Sequence, residues 1–299
     1  MTTMRCFLLV FCFAVLLRSS SALTTSRTRV VASSSPEKQQ RIKKLLVLGG
    51  SGYLGREISR RGVRKGWEVT SLSRRGVNPE EGDPIMDSIK WVGGDATDAA
   101  TVRNLVNEND AVVHAVGLLF DVNSGLDKLN LIVSGSGSMP SKDSTYDRVS
   151  RLTAFNAIDA ATQKLRLPFA SRVPFAYISC AEAGWPDVQF GDFVEDKLAP
   201  DWLRRYLDAK RKVEAKLVEN SKSLRPIIFR PSLIWSWTKF DVLPIIPIFN
   251  AASALGVPFV DRTVRVSTLA DAVVAGLENE QIEGPQRFMH IDKLAETQR

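Results

Sequence analysis

Residues 45–55 read LLVLGGSGYLG, four apolar residues running straight into Gly49, Gly50, Gly52 and Gly55. A short unbroken apolar run fits a strand buried on both faces. Glycines at this spacing let the backbone turn tightly, approach a pyrophosphate, and admit a helix packed closely on the strand. A helix starting after them aims its free N–H groups at phosphate. Glycine clusters are also common in loops, so the context decides between the two readings. Arg56 to Arg64 has a helix-compatible pattern closed by Gly66, and Trp67 to Ser73 reads as a second strand. The resulting β-α-β unit has about the length a dinucleotide-binding fold requires. Gly49, Gly50, Ser51, Gly52, Tyr53, Leu54 and Gly55 are therefore candidate cofactor contacts.

Where NAD-binding versions of this unit place a carboxylate at the end of the second strand, this chain has Arg74 and Arg75. Two guanidiniums can grip a ribose 2′-phosphate through charge-assisted hydrogen bonds, which favours NADP(H) over NAD(H). The plain alternative is a pair of solvated arginines. Ile89 to Val92 is the expected third strand, and Asp95 just beyond it is placed to accept from an adenine amino group. Asp98 is expected to cap a helix starting near Ala99. Ala111 to Val116 reads as the fourth strand, with Ala115 and Gly117 small enough for a cofactor to lie across its end. His114, inside that apolar run, is expected to be a satisfied core group rather than a ligand or base.

Toward the N-terminus, Phe7 to Leu17 form an apolar segment behind Arg5, ending in Ser19-Ser20-Ser21-Ala22. That is the form of a secretory signal peptide cleaved near Ala22, too short for a membrane span. Leu23 to Ser35 is rich in Ser, Thr and Arg without an acidic residue, the composition of a transit peptide. Together they resemble the bipartite leader of plastid proteins in algae with secondary plastids; mitochondrial import and plain secretion are the alternatives. Residues 1–44 carry eight Lys or Arg and one Glu, leaving 32 charges of each sign in the body. The net charge of +7 thus belongs to the leader, and no basic footprint for nucleic acid remains in the body. Cys6 and Cys12 fall in the signal segment, so a mature domain with Cys180 alone has no internal disulfide or thiolate metal site.

Asp121 to Thr145 breaks the alternation with Gly and Ser, including the run at 134–138, and reads as a mobile surface insertion or lid. Helical spacing returns from Tyr146 to Leu165, with Leu152, Phe155, Ala160 and Ala161 set to pack on the sheet. Asn156 there either binds backbone near the site or is an ordinary polar helix residue. Phe175 to Ser179 is the fifth strand and Pro226 to Phe229 the sixth.

Ser179 ends the fifth strand, and Tyr206 and Lys210 lie four apart on one face of a following helix. An ammonium beside a phenol favours the phenolate, so Tyr206 is expected to have a lowered pKa and to exchange a proton with a carbonyl or alcohol. Lys210 could also hold the nicotinamide ribose, and Ser179 would steady the substrate oxygen. Without the glycine turn the pair would be read as an ordinary surface contact.

Gly49-x-x-Gly52-x-x-Gly55, Asp95, Ser179, Tyr206 with Lys210, and Arg230-Pro231 together resemble the short-chain dehydrogenase/reductase superfamily in its extended or atypical branch. VLGGSGYLG, YISCAEAG, YLDAKRKVEAKL and RPIIFRPSLIW are similar to the group that holds a fungal ubiquinone-biosynthesis member, plant organellar homologues and the nucleotide-binding accessory subunit of respiratory complex I. The resemblance implies catalytic roles for Ser179, Tyr206 and Lys210 and a quinone-related role in an organelle membrane environment. Cys180 and Glu182 stand where that superfamily often has small polar residues.

Leu233 to Val260 is strongly apolar, with Trp235, Trp237, Phe240, Ile245, Ile246, Ile248 and Phe249, but Pro244, Pro247 and Pro258 interrupt it. Those prolines exclude a regular membrane helix. The stretch reads as a greasy pocket wall, an interfacial membrane contact or ordinary core. Val264 to Ser267 and a helical Leu269 to Glu278 then return to the sheet. The expectation is an α/β chain with a Rossmann-type doubly wound parallel sheet and a small C-terminal substrate lobe, with boundaries at 1–43, 44–230 and 231–299, the last two forming one continuous fold. Its expected function is NADP(H)-dependent oxidoreduction of a lipophilic small-molecule substrate, with no metal and a possible membrane surface or membrane complex as partner. The competing expectation is a non-catalytic NADPH-binding factor that supports such a complex.

Overall fold

The computed structural model describes residues 43–130, 141–165, 171–237 and 246–298. The expected leader up to residue 42, the Gly/Ser run at 134–138, and Phe240, Pro244 and Ile245 lie outside them. In chain order the strands are β1 (Lys44–Leu48), β2 (Glu68–Ser73), β3 (Lys90–Gly93), β4 (Ala111–His114), β5 (Val173–Ile178), β6 (Leu224–Phe229), β7 (Ile234–Trp235), β8 (Val264–Arg265) and β9 (Gly284–Gln286). The helices are α1 (Tyr53–Arg64), the single turn α2 (Pro84–Asp87), α3 (Ala99–Glu108), α4 (Thr153–Gln163), α5 (Gly191–Lys197), α6 (Asp201–Glu219), α7 (Ile246–Ala254), α8 (Val266–Glu278) and α9 (Phe288–Glu296).

Leu45 to Leu48 are fully buried because they alternate between two cores. Leu45 and Val47 pack with Ile58 of α1, Leu269 and Val273 of α8 and Ile291 of α9. Leu46 and Leu48 face the opposite way, against Val102 of α3, Ile158 of α4 and Val213 of α6. Successive strand residues point to opposite faces, so a strand between two helical layers must be apolar throughout.

Seven strands pair in parallel in the order β3-β2-β1-β4-β5-β6-β9, while β7 and β8 form a separate two-stranded ribbon. The chain winds outward from β1 to β3, then returns to β4 on the other side of β1. That reversal opens a crevice at the carboxyl ends of β1 and β4, where ligands of open α/β sheets bind. Residues beyond 230 supply the β7–β8 ribbon, but α8, α9 and β9 rejoin the main core and sheet.

Two expectations change, and one strand was not expected. The helix expected from Tyr146 begins with a π-helical turn, Asp147–Leu152, before α4. A wider turn rotates the residues that follow, so Leu152, expected on the sheet, is 40% exposed, whereas Thr153 and Ala154 face inward. The insertion after β4 is anchored at its described ends: Asp121 and Asn130 are buried, and Val122 N–H donates to the Ser144 carbonyl at 3.2 Å. The seventh strand, β9, gave no pattern long enough to read.

Arg225 of β6 explains how α8 ends. Its buried guanidinium donates to the carbonyls of Gly276, Leu277, Asn279 and Ile282 at 2.6–2.9 Å, satisfying groups that a helix C-terminus leaves open. Burial pushes its pKa down to about 10. Arg225→Met strands those carbonyls and should lower unfolding free energy by about 2–3 kcal/mol in urea titrations; an unchanged midpoint would show that water replaces the guanidinium without cost.

Candidate active site

Gly49 follows β1 with φ +84°, in the left-handed region, and a Cβ there would lie 3.0 Å from Val116 N and 3.1 Å from the Ala115 carbonyl. The turn thus touches the end of β4 at the point where the sheet order reverses. Gly52 N–H donates to the Gly49 carbonyl at 2.9 Å, and α1 starts at Tyr53. Gly55 presses its backbone onto this turn: a Cβ would sit 2.2 Å from Gly49 O. No side chain caps α1 and its first turn has no acidic residue, so an anion at this end would meet the positive end of the helix and no like charge. Ser51 and Tyr53 are half-buried at the turn, whereas the Leu54 side chain enters the core, so only its backbone faces the crevice side.

The remaining expected cofactor residues line the same edge. Arg74 and Arg75 follow β2 and are exposed. Asp95, also exposed, accepts from Thr97 N–H at 2.9 Å. Asp98 caps α3 through Ala100 and Thr101, as its spacing requires. Asn156 proves to be a backbone binder: its amide donates to the carbonyls of Ala96 and Thr97 at 3.1 and 2.9 Å, fixing the loop that carries Asp95. Ala115 N–H bonds Leu48 O at 2.9 Å, extending the β1–β4 pairing, and Gly117 faces open space. This cradle, narrow at Gly49 and open at Gly117, fits a dinucleotide pyrophosphate.

One strand further along, Lys210 Nζ donates to the Ile178 carbonyl at 2.8 Å, directly before Ser179. The contact ties α6 to the end of β5. Lys210 is buried, with its Nζ 5.1 Å from the Tyr177 ring centre and 5.5 Å from that of Tyr206. Tyr146 closes the other side, its ring edge-on to Tyr206 at 5.5 Å and its hydroxyl donating to Leu119 O at 2.7 Å. Arg205 reaches the buried Asp121 at 3.3 Å and lies over the Tyr146 ring.

Two electrostatic expectations are corrected. Tyr206 was expected to have a lowered pKa, but burial pushes it well up, reinforced by Cys180 and Glu182. Lys210 stands over the face of the ring and spends a proton on Ile178, while burial lowers its own pKa. Ser179 is not a free donor either: its hydroxyl gives its proton to Glu214 Oε1 at 2.5 Å. Glu214 is in turn paired with Arg230, whose Nη2 lies 2.6 Å from Oε2, and Arg230 also reaches Asp187 at 3.2 Å. Burial also raises the Cys180 thiol and the Glu182 carboxyl, the latter further opposed by Asp261. Glu214 was missed in the sequence, although its place four residues after Lys210, on the buried face of α6, was the available signal.

His114 is fully buried; Nε2 lies 2.9 Å from Thr153 Oγ1, whose own proton goes to Val149 O at 2.6 Å. The histidine is therefore the donor there, and Nδ1 has no partner. Burial, with Lys210 nearby, pushes its pKa down to about 3. A depressed pKa means that the unfolded chain takes the proton first. Stability is complete above the ordinary value of 6.5 and falls as pH drops toward 3, by up to about 1.4 kcal/mol per pH unit. Urea titrations at pH 7 and 5 should show this loss, and His114→Gln should flatten it; an equal slope in both proteins would contradict it.

Comparison with known proteins bears out the resemblance read from the motifs. The profile of the NAD dependent epimerase/dehydratase family matches residues 45–134. MIOREX complex component 2 of Saccharomyces cerevisiae is 26% identical over 281 residues, covering 81% of this chain and 96% of that protein. An uncharacterized chloroplastic protein of Arabidopsis thaliana is 40% identical over 53 residues, 18% of each chain. Among solved structures, the Bordetella bronchiseptica enzyme WbmH in complex with NAD+ superposes with TM-score 0.52 at 19% identity, over 82% of this chain and 75% of that one. ElxO with NADP bound does so with TM-score 0.54 at 12% identity, over 83% of this chain and 97% of that one. The fold is thus a Rossmann-type sheet shared with NAD- and NADP-bound proteins.

Proposed function

We propose that the chain is an NADP(H)-dependent oxidoreductase acting on a lipophilic, quinone-related substrate in an organelle. The observation that carries this is the Lys210–Ile178 contact of 2.8 Å, which anchors the Tyr206/Lys210 face of α6 to the end of β5, beside the glycine turn's crevice. Ser179, Tyr206 and Lys210 then stand where a substrate oxygen would meet the reactive end of the cofactor. Gly49, Gly50, Ser51, Gly52 and Gly55 with the start of α1 would hold the pyrophosphate, Asp95 the adenine, and Arg74 and Arg75 a 2′-phosphate. The bound nicotinamide supplies or accepts the hydride. Tyr206, kept as a neutral phenol by burial, is poised to give a proton to a carbonyl oxygen. Lys210 holds the end of β5 and offers positive charge to the phenolate left behind.

The lipophilic part of the reading rests on the C-terminal apolar surface. Trp237 is 64% exposed, and the Arg265 guanidinium lies 5.0 Å from the Trp235 ring centre and 5.6 Å from that of Trp237. Helix α7 carries no charge, and Pro247, Ile248, Ala251 and Ala254 on it are exposed. No helix among the described residues is long and apolar enough to cross a membrane. Aromatic and apolar groups of this kind suit the interfacial zone of a bilayer, where the substrate's tail would be drawn from. A plastid address is favoured by the leader and by the chloroplastic relative; a fluorescent fusion of residues 1–44 found in another compartment would overturn it.

A second reading has its own support. Lys210 and Ser179 already spend protons inside the protein, an arrangement that also suits a folded NADPH-binding factor within a membrane complex. The similarity to a protein named as a complex component points the same way. Purified full chain incubated with NADPH and a panel of short-tailed quinones separates the two: oxidation of NADPH supports the enzyme, and binding without oxidation across the panel supports the factor. Arg74→Ser with Arg75→Ser should weaken NADPH binding about tenfold with NADH binding unchanged; equal losses for both would remove the NADP preference.

A further inference from the structure

We infer that Glu214 is a positioning residue that reverses the hydrogen-bonding sense of Ser179, so that the site prefers the hydroxyl form of its substrate to the carbonyl form. The inference rests on the oxidoreductase reading and deepens it. A serine hydroxyl has one proton. Here that proton is committed to Glu214 Oε1 at 2.5 Å, because a carboxylate can only accept. Arg230 holds the carboxylate in place from the far side, Nη2 to Oε2 at 2.6 Å and Nε to the two oxygens at 3.2 and 3.3 Å. Asp187 orients the same guanidinium at 3.2 Å, and Ser179 N–H is fixed on Phe229 O at 2.8 Å. All that Ser179 can offer a ligand is lone pairs.

A carbonyl oxygen is an acceptor, which Tyr206 can meet as a donor and Ser179 cannot. A hydroxyl in the same place can accept from Tyr206 and donate to Ser179. The reduced, hydroxyl-bearing form therefore makes one more bond, and the oxidised form leaves a buried acceptor unmet.

The isosteric variant Glu214→Gln reverses the logic. Arg230 has only donors, so the glutamine must turn its carbonyl oxygen toward Arg230 and its amide N–H toward Ser179. Ser179 then accepts from the amide, and its own proton is released toward the site.

The test uses full chain loaded with NADP+, which leaves both a one-isoprene benzoquinone and its hydroquinone unreacted, so that anaerobic calorimetry reads binding alone. Wild type should bind the hydroquinone at least about tenfold tighter, Ser179→Ala should lose the difference, and Glu214→Gln should favour the quinone. Equal binding of the two forms to wild type, or the same preference in Glu214→Gln, would overturn the inference. Binding of neither form would count against the quinone-related substrate, and infrared difference spectra of the protein alone then decide. The carboxylate band that vanishes in Glu214→Gln should shift in Ser179→Ala, and an unshifted band would overturn the Ser179–Glu214 assignment.

Discussion

Gly55→Val should abolish nucleotide binding, because the glycine turn leaves no room for a side chain at this position. A Cβ at this position would lie 2.2 Å from Gly49 O, 2.8 Å from Gly49 C and 2.8 Å from Gly50 Cα, all backbone atoms that no rotamer change can move aside. Helix α1 must lift off the turn, so its N–H groups leave the place where the pyrophosphate would sit. The same displacement pulls Ile58 out of the core it shares with Leu45 and Val47. Quenching titrations should show NADPH affinity down by at least about 100-fold, with unfolding free energy lower by about 3 kcal/mol. Retained affinity would mean that the crevice between β1 and β4 is not the nucleotide site.

Tyr206→Phe should lower turnover by about 10²- to 10⁴-fold while leaving NADPH affinity and stability close to wild type. The ring keeps its edge-on contact with Tyr146, and what is lost is the hydroxyl with its hydrogen bond to Cys180. Because burial raises the phenol's pKa, the protonated form that donates to a carbonyl persists beyond the usual range. The rate of carbonyl reduction should therefore stay flat through about pH 9. A rate that falls between pH 7 and 8 would show that another group gives the proton. Full activity of the phenylalanine variant would exclude Tyr206 altogether.

The fold was legible at its first β-α-β unit because burial between two helical layers leaves a clear mark: an apolar run with no alternation, then glycine. Sequence spacing also sufficed for Asp98, whose carboxylate caps α3, and for the helical face shared by Tyr206 and Lys210. It failed where a local irregularity sets the geometry. The π-helical turn before Thr153 turned Leu152 out to solvent, and nothing in the pattern of apolar residues marks such a turn. Pairing was equally hidden. A lysine four residues after a tyrosine reads as a charge aimed at a phenol, but the partner Lys210 finds is the Ile178 carbonyl, brought near by the packing of α6 on β5. Glu214 carried no expectation and Arg230 entered only through the Arg230-Pro231 motif; the packing of α6 on the ends of β5 and β6 brings Glu214 to Ser179 and Arg230 to Glu214. Arg225 could be recognised only once β6 and the end of α8 were seen together.

The central claim is that a hydride passes between a nicotinamide held by the glycine turn and a lipophilic substrate beside Tyr206. It can be tested without knowing that substrate. Full chain is incubated with NADPH tritiated at the transferring position and an organelle lipid extract, and label leaving the cofactor is counted in the organic phase and in water, where the hydroxyls of a hydroquinone release it. Wild type should move tritium out of NADPH, into a lipid product or, by way of a hydroquinone, into water, and Tyr206→Phe, with NADPH still bound, should not. NADPH bound to wild type with all tritium still on the cofactor would contradict the account and leave the chain a nucleotide-binding factor.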